Sequence, residues 1–287
     1  MKQEIKNYAY SINISAIGFT NINKIKKHLI IKENIPFLSK KSIDYQKYDT
    51  VISIIMAYPK TCYQKENMKD NEVYFSSSSW GNDYHTILKE KLNNLANYIN
   101  TNIQKIDYIV LVDNHPFDDR YIAYNAGLGF YGKNNLLINP KYGSYIFIGH
   151  LFTNLHLKSD SPPKQKCLNC NLCLKACPTG ALSSEGYNYQ KCLSYLTQKE
   201  ELTKEEKNML NNCIYGCDKC QEVCPYNQKN NNSIYFNPTG VEFINVFNYQ
   251  KLSNKKFKEK YGHLSGSWKG KKIIERNIDI YKDKINW

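Results

Sequence analysis

The chain has 287 residues, 41% hydrophobic and 23% charged, enough to bury a sizeable core as one large domain or two. No apolar run approaches the ~18 residues of a membrane-spanning helix, and the start, MKQEIKNYAYSINIS, lacks a signal-peptide apolar region, so a cytoplasmic protein with no membrane partner is expected. The net charge of +13 is almost all lysine, since Arg120 and Arg276 are the only arginines; that favours polyanions held by point charges over bidentate base reading.

Residues 1–160 read as an α/β layer. Apolar, β-branched runs recur at 51–57 (VISIIMA), 106–112 (IDYIVLV) and 136–152 (LLINPKYGSYIFIGHLF). The last is split by Asn-Pro-Lys-Tyr-Gly, which predicts a hairpin. Between the first two runs, Leu88, Leu92, Leu95 and Ile99 form one helical stripe, with Asp83 as its N-cap. A second helix is predicted over 118–126, stopped at Gly127 by a left-handed residue. Residues 158–166 (KSDSPPKQK) form a linker-like boundary, and 161–230 then form a cysteine-rich domain. The segment 231–287 is basic and mainly helical.

Nine of the ten cysteines fall between Cys167 and Cys224, and Cys62 reads as a lone buried thiol. In a reducing compartment such density means metal rather than disulfides. CLNCNLCLKACP has the spacing C-x2-C-x2-C-x3-C-P, the bacterial ferredoxin run for iron–sulfur clusters. A second group, CIYGCDKCQEVCPYN, carries Cys213, Cys217, Cys220 and Cys224, with Cys192 between the two groups. Zinc takes separated pairs, so a triple C-x2-C-x2-C suits it poorly. In a two-cluster ferredoxin the fourth cysteine of each run crosses over, giving Cys167, Cys170, Cys173 and Cys224 to one cluster. The other takes Cys177, Cys217 and Cys220; spacing leaves its last ligand open between Cys192 and Cys213.

These motifs do not stand alone. CPTGA, CLSYLT and YGCDKCQEVCPYN, together with NDYHTILKEKL, VDNHPFDDR and AGLGFYGKNNLLI upstream, resemble the epoxyqueuosine reductases, over most of 50–228 and weakly to about 280 through GSWKGKKIIERNIDI. The resemblance implies an α/β (α+β) cobalamin-binding body, an inserted two-cluster ferredoxin-like domain and a short helical tail. It implies reduction of epoxyqueuosine in tRNA, with cobalamin and two four-iron four-sulfur clusters as cofactors. Cys192, in the family's CxSYLT motif, becomes the last cluster ligand and Cys213 a spare. Asp113 matches the aspartate of a V-D-S-x-P motif, the family's proton donor, although Asn114 stands where the family has serine. A carboxyl at a strand end beside apolar walls can stay protonated near neutrality and serve that role.

The same resemblance places Asp83, Tyr84, His85, Gly132, Lys133, Asn134, Ser194 and Tyr195 near the corrin. Asp113-x-His115 begins like the D-x-H-x-x-G of another cobalamin class, but Asp118 stands where glycine is needed, so no histidine is assigned to cobalt. The chain reads as a short form without the family's C-terminal HEAT-like repeats, leaving the lysine-rich tail KLSNKKFKEKYGHLSGSWKGKKIIER to grip tRNA. The expected partners are tRNA carrying epoxyqueuosine and an external low-potential electron donor, and the expected state is a monomer. Two other readings share the cysteines: a non-catalytic iron–sulfur electron carrier, and a cobalamin-dependent reductase of another substrate such as a reductive dehalogenase.

Overall fold

The structure, a computed structural model, describes residues 1–26, 43–60, 68–229, 231, 233–236 and 243–286. Cys62 lies outside the described residues. In chain order the first half carries α1 (Lys2–Ser11), β1 (Ala16–Asn21), α2 (Ile22–Ile25), β2 (Thr50–Ala57), β3 (Glu72–Phe75), α3 (Tyr84–Asn102), β4 (Tyr108–Leu111), α4 (Asp119–Asn125), β5 (Phe130–Tyr131), β6 (Leu137–Ile138) and β7 (Ile146–Thr153). The second half carries α5 (Leu172–Lys175), β8 (Leu182–Ser183), β9 (Gly186–Tyr187), α6 (Leu193–Leu196), α7 (Lys204–Met209), β10 (Cys213–Tyr215), α8 (Lys219–Glu222), β11 (Ile244–Asn245), α9 (Asn254–Tyr261) and α10 (Gly270–Ile285).

Two compact units form. The first comprises Met1–Ala57, His85–Gly132 and Leu136–Leu168; the second comprises Tyr58–Tyr84, Lys133–Asn135 and Asn169–Trp287. The cysteine-rich stretch 161–230 contributes to both, and the tail lies wholly in the second.

The first unit is built on a four-stranded sheet in the order β1-β2-β7-β4, with every neighbouring pair antiparallel. All eight residues of β2 are buried, which is why its sequence is nearly continuous in apolar residues. One face of the sheet receives α3. Leu88, Leu92, Leu95 and Ile99 are all 0% exposed, as their spacing predicts, and each such burial stabilises by roughly 1.5–3 kcal/mol. Gly149 in β7 allows this approach, since a Cβ there would sit 3.0 Å from a Leu92 methyl. The opposite face receives α4, whose Ile122 joins Val51, Leu111, Phe117 and Phe152 in one cluster. Asp118 caps α4 by accepting from the Arg120 and Tyr121 amides, and Gly127 follows the helix at φ +81°.

One local expectation is corrected. The run 136–152 does turn at Asn139–Gly143, joined by an isolated bridge, but its halves do not continue as a hairpin. β6 pairs with β5, whereas β7 pairs with β2 and β4. Six of the eight residues of β7 are buried, and they gain more by lying between β2 and β4, of eight and four residues, than by following a two-residue partner.

The second unit has a small sheet in which β3 lies between β10, parallel, and β11, antiparallel. Trp80, Ile214, Phe257, Tyr261, Ile274 and Ile278 form its core, so α9 and α10 of the tail are packed elements. Asn277 on α10 donates from Nδ2 to the carbonyls of Thr197 and Ile214, both at 2.8 Å. Arg276 donates to the Lys199 and Glu200 carbonyls. These bonds fix the segments that follow Cys192 and Cys213 to the last helix.

Candidate functional site

In the first unit, β4 ends at Leu111 and the chain turns sharply. The Asn114 amide donates to the Val112 carbonyl at 2.7 Å, and the His115 amide donates to the Asp113 carbonyl at 2.6 Å. Asp113 is therefore the centre of a three-residue turn, and its φ of +58° is in the left-handed region. Such a residue stores roughly 1–3 kcal/mol of strain and persists only where its flanks are held. The turn presents the Asp113 side chain outward, 54% exposed, with Oδ2 3.3 Å from His85 Nε2 in the first turn of α3. The carboxyl is thus half exposed and beside an imidazole, not enclosed by apolar walls.

Behind this turn lies a polar group that the sequence did not advertise. His115 and His150 are buried at 1% and 0% exposure, and Asp119 stands between them. Asp119 Oδ1 is 2.8 Å from His115 Nε2 and 3.1 Å from His150 Nε2. Burial alone would raise the Asp119 carboxyl, but hydrogen bonds and charge from both imidazoles outweigh it and hold the group well below the usual carboxylate range. Burial also lowers His150, against the pull of Asp119. Because the folded value of Asp119 is depressed, its stabilising contribution is complete above the ordinary 3.8 and lost only as pH falls through the lower folded value. The one available signal was a single histidine in the apolar run IFIGHLF, where every neighbour is buried or half-buried.

In the second unit Cys173, Cys177, Cys192, Cys217 and Cys220 converge. Burial pushes the Cys217 thiol up to about 12, against a lowering hydrogen bond from the Lys219 backbone, and Asp218, Cys192 and Cys177 add to the rise. Burial likewise raises Cys220, followed by the charges of Cys217, Cys192 and Cys173. Burial would raise Cys177 too, but hydrogen bonds from Leu182, Thr179 and Ala181 outweigh it and lower that thiol. Cys217 thus lies within electrostatic reach of Cys192 and Cys177, and Cys220 within reach of Cys217, Cys192 and Cys173, an arrangement that repels itself as bare thiolates and suits iron as the countercharge. Cys213 is different. It is a buried residue of β10, 2% exposed, and its Sγ lies 3.4 Å from the carbonyls of both Tyr215 and Gly216. Of the other expected ligands, Cys170 is exposed, while Cys167, Cys173 and Cys224 are half-buried. Among the described residues no cysteine is in a disulfide.

The remaining expected contacts are distributed between the units. His85 and Gly132 belong to the first; Asp83, Tyr84, Lys133, Asn134, Ser194 and Tyr195 belong to the second. The Gly132 amide donates to the Leu136 carbonyl at 2.9 Å. Lys133 Nζ donates to Asn171 Oδ1 at 2.9 Å, beside the first cysteine run, and Asn134 is buried at 5% exposure. Ser194 and Tyr195 lie on α6, directly after Cys192, where the Tyr195 ring packs edge-on against Tyr189.

Comparison with known proteins gives a consistent result. Residues 166–227 match the family described as 4Fe-4S double cluster binding domain, and residues 45–114 match the family described as epoxyqueuosine reductase QueG. An epoxyqueuosine reductase from Listeria monocytogenes is 36% identical over 311 aligned positions, spanning 99% of this chain and 82% of its own. A crystal structure of an epoxyqueuosine reductase with an epoxyqueuosine-modified tyrosine tRNA stem loop has TM-score 0.86 at 35% identity, covering 98% of this chain and 80% of the other. The Bacillus subtilis epoxyqueuosine reductase, captured with its catalytic aspartate loop swung out of the active site, has TM-score 0.85 at 34% identity and the same coverage.

Proposed function

The chain belongs to the epoxyqueuosine reductases, a family of oxidoreductases, and from that premise we propose that it reduces epoxyqueuosine to queuosine in the tRNA anticodon loop with Asp113 as proton donor. Its cofactors in this reading are cobalamin and the two four-iron four-sulfur clusters of the double-cluster segment. Cys167, Cys170, Cys173 and Cys224 hold one cluster, and Cys177, Cys192, Cys217 and Cys220 hold the other. Converting an epoxide to an alkene consumes two electrons and two protons and releases the oxygen as water. Cobalamin, when bound, supplies the reducing centre for that chemistry. The protein's own part is the proton: Asp113 delivers it to the departing oxygen, and the His85 imidazole, 3.3 Å away, orients the carboxyl. What carries the proposal is the placement of Asp113, strained, exposed and paired with a histidine at the end of β4.

The corrin contacts in this reading are Asp83, Tyr84, His85, Gly132, Lys133, Asn134, Ser194 and Tyr195. An external low-potential donor feeds the clusters, and the enzyme works as a monomer in the cytoplasm. In the described residues no helix is long and apolar enough to cross a membrane.

The tail supports the tRNA reading. Lys255, Lys256, Lys258 and Lys260 are all exposed on and around α9. Trp268 is 57% exposed, with Lys269 Nζ 4.3 Å from its ring centroid. Lysines on phosphate and an open aromatic face are the means by which proteins hold RNA without reading its sequence. Anaerobic enzyme with cobalamin, a chemical reductant and an epoxyqueuosine stem loop is expected to convert the nucleoside with loss of one oxygen, read by mass spectrometry. Conversion absent from enzyme whose clusters and cobalamin are in place would remove the substrate assignment. Replacing those four lysines by glutamine is expected to flatten the salt dependence of stem-loop binding by roughly 0.7–0.9 in log–log slope per lost contact. An unchanged slope would remove the tail from the interface.

A further inference from the structure

Beyond the acid itself, the buried group behind it has no role in the reading so far. His115 follows Asp113 by two residues, Asp119 opens α4, and His150 sits in mid-sheet on β7, opposite Ser53 of β2 and Leu111 of β4. His115 Nε2, Asp119 Oδ1 and His150 Nε2 lie within 4.8 Å of one another, all buried, and among the described residues none of the three atoms is in a well-formed hydrogen bond, even with the other two.

Two chemistries suit such a trio: a divalent metal ion, or a carboxylate shared by two imidazole N–H groups. The far sides of the rings decide between them. The Phe117 amide donates to His115 Nδ1 at 3.2 Å, so that nitrogen is bare and the proton is on Nε2, facing Asp119. Ser53 Oγ lies 2.9 Å from His150 Nδ1. With an ionised carboxylate at its Nε2, His150 carries its proton there too, and the serine hydroxyl donates to Nδ1. The carboxylate then faces an imidazole N–H on each side, at 2.8 and 3.1 Å. A metal at the two Nε2 atoms would instead need a proton on His115 Nδ1, driven against the Phe117 N–H. Tetrahedral zinc also spaces its ligand atoms by about 3.3 Å, from bonds of about 2.0–2.1 Å; the contacts here are 2.8 and 3.1 Å. The trio is a carboxylate held between two imidazoles by charge and close approach.

We propose that His115, Asp119 and His150 are positioning residues that pin the strained Asp113 turn to the sheet, holding its carboxyl where it can act. This rests on the reading of Asp113 as proton donor. The turn has a left-handed aspartate at its centre, so its conformation depends on the anchors on either side. Leu111 in β4 provides the anchor before it. After it, the chain has left the sheet, and His115 returns it through Asp119 to His150. That such a loop has a second position is shown in a relative, the Bacillus subtilis enzyme with its catalytic loop swung out. In this chain the network sets the balance between the two positions.

The test uses the full-length enzyme with clusters and cobalamin loaded. His150→Leu is expected to lower kcat by about a hundredfold, the usual consequence of misplacing a reacting group by an ångström, with KM for the stem loop and iron content little changed. His150→Gln, whose amide N–H can stand in for Nε2–H, is expected to recover most of that loss. Amide exchange across 112–118 should quicken in the leucine variant and return toward wild type in the glutamine variant, whether or not the substrate is turned over. Unchanged exchange and kcat in His150→Leu would overturn the proposal. So would one equivalent of zinc or another divalent ion in the wild type that the leucine variant lacks. A wild type inert toward the stem loop would overturn the substrate reading, and the exchange result would still decide the network.

Discussion

Asp113→Asn is expected to reduce turnover of the epoxyqueuosine stem loop by at least about a hundredfold, the lower bound for a general acid, and to leave both clusters in place. The reason is chemical. An amide has the shape and hydrogen-bonding reach of the carboxyl but no proton it can give to a departing oxygen. Geometry makes the substitution mild for the fold, because the Asp113 side chain is 54% exposed and asparagine tolerates a φ of +58° nearly as well as aspartate does. A stability loss therefore cannot account for the effect. The measurement is single-turnover conversion with enzyme in excess, alongside iron content and stem-loop affinity. Full activity in the variant would remove Asp113 from the mechanism and leave it as a turn residue. His85→Gln makes an informative companion: it keeps a donor near Asp113 Oδ2 and should cost less than losing the acid.

The second large effect concerns iron. Cys192→Ser is expected to lose about half the iron and the matching share of visible absorption, since one cluster loses a ligand of four. Cys213→Ser should retain all of it. The contrast follows from position: Cys192 lies just before α6, near enough to raise both Cys217 and Cys220, whereas Cys213 is a strand residue whose sulfur faces two carbonyls. Serine at 213 keeps a donor toward those carbonyls and should fold normally. The reverse pattern, iron lost at 213 and kept at 192, would overturn the ligand assignment.

Much of this protein was readable one residue at a time. The double-cluster segment was legible because ligation of a four-iron cluster imposes fixed local spacing, and C-x2-C-x2-C-x3-C-P has few other uses. The α3 stripe was legible because Leu88, Leu92, Leu95 and Ile99 recur at a helical period and carry no competing signal. The tail's charge was equally plain, although its sequence did not show that Arg276 and Asn277 are spent on tying α10 to the loops around the cysteines.

Other features depend on which distant segments meet, and no local pattern encodes that. The strand 146–153 leaves its expected hairpin partner because β2 and β4, one on each side, pair with more of it than a two-residue strand could. Spacing left Cys192 and Cys213 as equals; the resemblance favoured Cys192, and folding put one beside Cys217 and the other inside a sheet. Asp113 was visible as a motif residue, but its left-handed backbone follows from the turn that closes β4. Composition and motifs by themselves determined the iron–sulfur segment and the family, and singled out Asp113 as the expected acid. Only the tertiary structure decided what stands behind that acid: His115 and His150 are 35 residues apart in the chain, and they share one carboxylate because an antiparallel sheet lays β7 beside β4.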